Sequence, residues 1–405
     1  MNLHPLLRPF AANAMLAAVT LLAACGGGSS TTSGSATGQG TLRVALTDAP
    51  SCGFDEVNVT VEKVRVHRSS TAADADAGWS EVVLNPARRV NLLDLTNGVL
   101  AELGQTELPA GIYTQLRLQL ASNGSTGPYA NSVVPTGGTE TPLDTPSAQQ
   151  SGLKMNVNLT VAANELADVV LDFDACKSVV TRGASGRYNL KPVVTVLPRV
   201  RLDGLVAEGM VAPAIALPTT TVSLQNAGVP VRSTVPDASG RFVLYPVPAG
   251  TYDLVVSADG RVTAVMTGVP ISDSSRTFAT PTGTAIDPPA GTPRSIGGVV
   301  SITGSTTIPL ATMRALQTVA TSTVERHSAT NDAVTGSYAL KVVAGAPVTS
   351  AYSAGATTLS FVADPTADHA VKYQVAASAD GLLALSLPAD VTAGDVALPV
   401  VFAAP

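Results

Sequence analysis

Three cysteines, four histidines and a few aspartates at strand ends are the side chains of this chain that could do chemistry. Their spacing limits what that chemistry can be. His67, His327 and His369 have no second ligand at metal spacing, and the HExxH pattern of a zinc site is absent. No Gly-x-Ser-x-Gly elbow seats a nucleophilic serine, and no lysine follows a glycine as a phosphate-binding loop requires. Asp74-Ala75-Asp76-Ala77-Gly78 begins like a calcium loop but lacks the remaining ligands, which reads as a polar hairpin connection. Asp48, Asp55, Asp172 and Asp174 are different, because each lies at a strand end. They could gather around calcium, or cap turns and pair with Arg or Lys. Pairing is the expectation, so the reading is a non-catalytic protein with no metal and no cofactor.

The cysteines carry the remaining chemistry. Leu22-Ala23-Ala24-Cys25 closes a stretch with one basic residue, Arg8, and an apolar run from Ala14 to Ala24. That order makes an export signal, and the run falls short of the ~20 apolar residues a spanning helix needs. The cysteine resembles that of the bacterial lipobox. The resemblance implies a signal peptide at 1–24, removed, and a lipid on Cys25 that ties the chain to a membrane in the cell envelope. Gly26 rather than Asp at the next position, by the same resemblance, favours the outer membrane. Residues 25–40 are a Gly/Ser tether that can bury nothing. Cys52 and Cys176 remain, and an oxidising compartment favours a disulfide between them, worth on the order of 4–5 kcal/mol for so long a loop. Two separately buried thiols are the alternative.

The elements that must position these groups are strands. Charged residues are only 13% of a chain rich in Val, Thr, Ala, Gly and Pro, and that balance favours strands and turns over helices. A net charge of −6 without basic clusters leaves no footprint for nucleic acid. From Thr41, Leu42, Val44 and Leu46 alternate with Arg43, Ala45 and Thr47. Val57, Val59 and Val61 repeat the period, and Val64 and Val66 resume it one position out of phase, which predicts a bulge. Strands are also expected at 116–120, 155–161, 169–173 and 188–197. A short helix is expected within Val90–Leu103, punctuated by Asn97-Gly98. Val133-Val134, a Gly137-Gly138 turn and Leu143 predict a hairpin with an exposed polar tip. Trp79 could anchor the core or stack on a sugar ring, and the core is the expectation.

Thr47-Asp48-Ala49-Pro50, Phe54 to Val59, Trp79, Leu108 to Leu118, Pro146 to Lys154, Asp172-Phe173-Asp174 and Leu190-Lys191-Pro192 fall in order. Together they resemble a domain-of-unknown-function family, number 4382, of envelope lipoproteins. The resemblance spans about 41–201. It implies a fold class and a location, and brings no activity with it.

A second unit is expected at 202–293. Gly240 to Leu244 and Val247-Pro248-Ala249-Gly250 to Val256 suggest two strands with Phe242, Leu244, Tyr252, Leu254 and Val256 facing in. This resembles the carboxypeptidase regulatory-like, transthyretin-type sandwich. Pro281 to Pro293 reads as a stiff linker, and Gly336 to Gly345 repeats the pattern in a third unit at 294–405. The fold expected is all-β: tandem antiparallel β-sandwiches, Ig-like or transthyretin-like, behind a lipoprotein signal and tether. Lys341 and Lys372 read as surface lysines rather than crosslinking groups.

The function expected is a lipid-anchored binding module of the cell envelope, with carbohydrate slightly favoured. The alternative is a structural spacer or assembly component that binds other envelope proteins. Tyr129, Ser147, Gln149 and Ser151 are the candidate ligand contacts, because loops on a rigid sandwich carry function.

Overall fold

The out-of-phase valines make Phe54–His67 the spine of the first unit. Val57, Val59, Val61, Val64 and Val66 are all buried, and a register shift between Val61 and Lys63 returns the last two to the core. The computed structural model describes residues 38–48, 53–145, 151–199, 204–215 and 217–404. Phe54–His67 lies in an eight-stranded sheet with Ser132–Pro135, Gly111–Leu120 and Ser80–Asn91 as its direct neighbours. Against it packs a sheet in the order Val194–Pro198, Leu166–Phe173, Gln39–Asp48, Ala101–Pro109. The sandwich is as expected, but its sheets are mixed: Gln39–Asp48 runs parallel to Leu166–Phe173.

Three local expectations differ. Val90–Leu103 holds only a 3-10 turn at Leu92–Leu95, capped by the Asn91 side chain, and Ala101 already begins a strand. Leu103 and Leu108 both face the core because a register shift beside Gly104 reverses the alternation, which hid this strand in the sequence. The stretch 188–197 is two strands in different sheets, Tyr188–Leu190 and Val194–Pro198. Pro192 has no N–H for a ladder. The flanking groups turn to the helix at 175–178 and its cap, with Lys191 N–H donating to Ser178 O and Asp174 N–H to Val193 O. The hairpin Ser132–Pro135 and Thr141–Asp144 forms as read, with Gly137 exposed at its tip.

The second unit packs a three-stranded sheet, Arg241–Leu244, Ala207–Met210 and Thr277–Phe278, on a six-stranded one. Phe242, Leu244, Tyr252, Leu254 and Val256 are buried as the pattern predicts. The strands that carry them lie in opposite sheets, however, so Val247-Pro248-Ala249 crosses the sandwich instead of closing a hairpin. The six-stranded sheet runs Val229–Thr234, Thr221–Asn226, Gly250–Ser257, Ala264–Ile271, Val348–Ala351, Val362–Ala363. Its last two strands come from beyond residue 294, so the expected boundary between the second and third units is crossed by a shared sheet. Pro281–Pro293, expected as a stiff linker, is held against the second unit. Ile286 is buried and bridged to Val211, and Val262 N–H donates to Pro289 O.

The third unit is a sandwich of Ala311–Val319, Ser322–Thr330, Lys372–Ala379 and Leu385–Asp390 against Thr292–Ile302, Ser337–Ala344 and the C-terminal strands. Tyr338, Leu340 and Val342 point inward with Met313, Tyr373 and Phe402, as the repeated pattern predicts. Among the described residues no helix is long and apolar enough to cross a membrane.

Candidate functional site

Of the four strand-end carboxylates, Asp48, Asp172 and Asp174 come together, because parallel pairing sets Asp48 beside Phe173. Asp55 lies apart on the other sheet, where it accepts from Gly137 N–H at 3.1 Å. Two of the three answer to cations of the chain itself. Asp172 pairs with Arg232 of the second unit, whose side chain is 1% exposed. Asp174 caps the turn at Ala175–Ser178 and pairs with Lys177 at 3.0 Å. Asp48 is fully buried, and one of its oxygens accepts from Ala175 N–H at 2.9 Å. Burial pushes its pKa well above the usual carboxylate value, and the nearby charges of Asp174 and Asp172 add to the rise. Among the described residues no group of three or more His, Cys, Asp or Glu could hold a metal ion. Pairing and capping account for Asp172 and Asp174, whereas the second oxygen of Asp48 is buried without a hydrogen-bond partner among the described residues.

Arg232 also donates to Thr47 Oγ1 at 2.8 Å, so one guanidinium fastens the second unit to two strand ends of the first. This contact helps account for the burial of Thr47, whose position alternates with the apolar residues of its strand. Asn97-Gly98, read as punctuation, belongs to the same seam. Asn97 N–H donates to Thr234 Oγ1 at 2.6 Å, and its Oδ1 accepts from Val243 N–H at 2.5 Å. Gly98 has φ +79°, and a Cβ there would meet Val243 Cγ1 at 2.9 Å. The third unit touches both others. Gly183 N–H donates to Asp332 at 2.6 Å, and Lys191 Nζ donates to Leu310 O at 3.0 Å. Gln225 makes a two-way amide contact with the Glu325 backbone at 2.7 and 2.9 Å. The three sandwiches therefore form a closed triangle of contacts.

Residues 39–192 match the family model of a domain of unknown function, DUF4382. Residues 212–281 match that of the carboxypeptidase regulatory-like domain. No curated protein matches the chain. Among solved structures, a streptococcal ancillary pilin is 10% identical, over 91% of this chain and 99% of that one, with a TM-score of 0.20. The Bacillus anthracis TIE protein is 12% identical over 90% of this chain, with a TM-score of 0.18, and the match covers only 50% of its length. The major pilin subunit BcpA of Bacillus cereus is 11% identical, over 90% of this chain and 99% of that one, with a TM-score of 0.16. At such scores these likenesses carry no argument.

The ligand contacts expected on the DUF4382 segment are only partly placed. Tyr129 is half-buried in the loop before Ser132–Pro135. Ser151 is half-buried and its carbonyl accepts from Arg117 at 2.9 Å. Ser147, Gln149, Cys25 and Cys52 lie outside the described residues. Cys176 is disulfide-bonded, and its pairing with Cys52 stays a proposal. Trp79 does not anchor the core. Its indole N–H donates to Ala73 O at 3.0 Å, and the guanidiniums of Arg65 and Arg117 lie 4.5 and 4.7 Å from the ring centroid. Arginines thus take the stacking role that a sugar would need. Lys341 and Lys372 are exposed and paired with Asp259 and Asp368.

The concavity that sequence reasoning missed lies where the three units meet. It has a volume of about 400 Å³ and takes Lys177 and Thr181 from the DUF4382 segment, Thr221 and Ser233 from the second unit, and Ser328 and Thr330 from the third. A second groove of about 580 Å³ runs between the edge strands Leu153–Val161 and Val194–Pro198 of the first sandwich. Burial opposes charge on Lys177, but Asp174 and Glu325 outweigh it and hold its pKa raised. His327 is driven the other way, to about 4, by burial and by the neighbouring Arg326 and Lys341. The cleft therefore offers hydroxyls among paired charges. No local motif announces it, because its residues come from three separate sandwiches.

Proposed function

We propose that the protein is a non-catalytic, lipid-anchored component of the cell envelope that acts as a stiff spacer or assembly piece, held off the membrane by its tether. The observation that carries this reading is the closed triangle of seams, with Arg232 buried between the first two units and a sheet shared by the last two. Tandem sandwiches joined by free linkers would hinge, whereas these contacts oppose hinging. Attachment through Cys25 and sorting to the outer membrane belong to the same proposal and rest on the sequence alone.

Small-angle scattering of the full chain tests the stiffness, with palmitate labelling of wild type and Cys25→Ser to test the anchor. A single scattering profile that Arg232→Ala broadens is the expected result. A profile already requiring independent domains in the wild type overturns the spacer. Equal label in both chains overturns the lipid. Non-reducing peptide mapping should recover a Cys52–Cys176 pair, and two freely alkylated thiols would refute it.

A further inference from the structure

The cleft between the units is built from an unusual sheet face. Thr221, Ser223 and Gln225 alternate along one strand, with Ser257 across from Thr221 and Ser233 across from Ser223. The opposite face of these strands carries Val222, Leu224, Leu254 and Val256 into the core. Period-two alternation thus aims a patch of hydroxyls and one amide outward, into a space that the third unit roofs with Ser328 and Thr330. Between sandwiches of one chain, such a face would ordinarily be packed or paired.

Here it is neither. Gln225 also donates to Ser223 Oγ at 2.9 Å. The hydroxyls of Thr219, Thr221, Ser233, Ser257, Ser328 and Thr330 all line the cleft, and none is hydrogen-bonded among the described residues. Six unpartnered hydroxyls on converging walls make a hydrogen-bonding surface without an occupant among the described residues. The charges around them cancel in kind. Lys177 faces Asp174 and Glu325, and Lys341 faces Asp259. Arg326 donates to the carbonyls of Ala258 and Arg261. His327 adds no charge at neutral pH. An anion or a cation gains little in such a balanced field, and an apolar ligand would strand the hydroxyls. The volume falls within the ~300–1,000 Å³ usual for small-molecule sites.

The geometry points to this cleft as a binding site for a neutral, hydroxyl-rich ligand, a short saccharide, held by the hydroxyl face of the second unit and closed by the third. Such a ligand donates and accepts at each hydroxyl, which matches Ser and Thr. The site is complete only when the three units are docked, so occupancy would also brace the spacer.

Calorimetric titration of the full chain with maltotriose, cellotriose and triacetylchitotriose tests the assignment. At least one should bind saturably at millimolar concentration. The triple variant Thr221→Val, Ser233→Ala, Ser328→Ala should weaken that binding by about tenfold or more, as loss of three hydrogen bonds implies, with Tm unchanged. Ser233→Trp, which fills the cleft, should abolish it. Should the triple variant melt early, Ser328→Ala alone must still weaken binding. No binding of any of the three sugars, binding undiminished in the hydroxyl variants, or saturable binding of a tripeptide in their place would overturn the proposal.

Discussion

The seam between the first and second units and the contacts that hold the third are built from different materials. The first is fastened at discrete polar points, a buried guanidinium that reaches Asp172 and Thr47 with buried Asp48 beside them, and Asn97 bonded to Thr234 and Val243. The third unit is held along a line. Val348–Ala351 extends the second unit's sheet by backbone pairing, and Val255, Val265, Val319 and Val324 form an apolar cluster across the join. Backbone ladders and apolar area are shared among many groups and tolerate the loss of any one. A buried charge concentrates the stability of a joint in one side chain, and ties it to pH.

The largest effect to expect is therefore at Arg232. Its truncation to Ala strands Asp172, 11% exposed, without a counter-ion and should cost ~3–5 kcal/mol in denaturant unfolding. Arg232→Met keeps the bulk, and paired with Asp172→Asn it should recover most of that loss. An Arg232→Ala chain as stable as wild type would show that the joint does not depend on this charge.

Next comes His327, on the third unit's side of the comparison. Its pKa of about 4, below the usual ~6.5, means that the fold favours the neutral ring. The stability it contributes is complete above pH ~6.5 and is lost as pH falls towards 4, roughly 3 kcal/mol in all. His327→Gln should flatten the stability profile over that window, and an unchanged slope would place the titration elsewhere. Asp332, lowered to about 2 against burial by the backbone N–H groups of Thr335, Val334 and Gly183, adds a loss only below about pH 4.

Asp48 has the opposite sign. Its raised pKa means that the fold takes up a proton, so its term strengthens the structure as pH falls towards ~4 and weakens it as pH rises. Asp48→Asn keeps an acceptor for Ala175 N–H and should remove this term. If the variant's stability still rises on mild acidification, Asp48 is not its source. Lys341→Gln is the smallest. Lys341 and Asp259 are 63% and 47% exposed, and the loss of such a pair should not exceed ~0.5 kcal/mol by thermal unfolding.

How far this was legible in the sequence varies with the kind of contact. The valines of Phe54–His67 announced both strand and bulge, because each buried position follows from its neighbours two residues away. Leu103 and Leu108 did not announce theirs, since a bulge on an otherwise polar strand erases the period. Asn97-Gly98 was visible as a break, but its partners Thr234 and Val243 were not.

The sequence by itself determined what repeats locally. It specified strands alternating at period two, turns at glycine, and a chain with three apolar cores' worth of pattern. Alternation works over a few residues, since each side chain's face depends only on the pleat. Tertiary structure alone decided which strands share a sheet across residue 294, which aspartates meet Arg232, and which hydroxyls are left facing a cleft without a partner. Those outcomes depend on contacts between residues 60 to 185 positions apart, such as Asp172 and Thr47 with Arg232. No local period records such a pairing, because a lone polar residue in a strand looks the same whether it faces water or the buried charge of another unit.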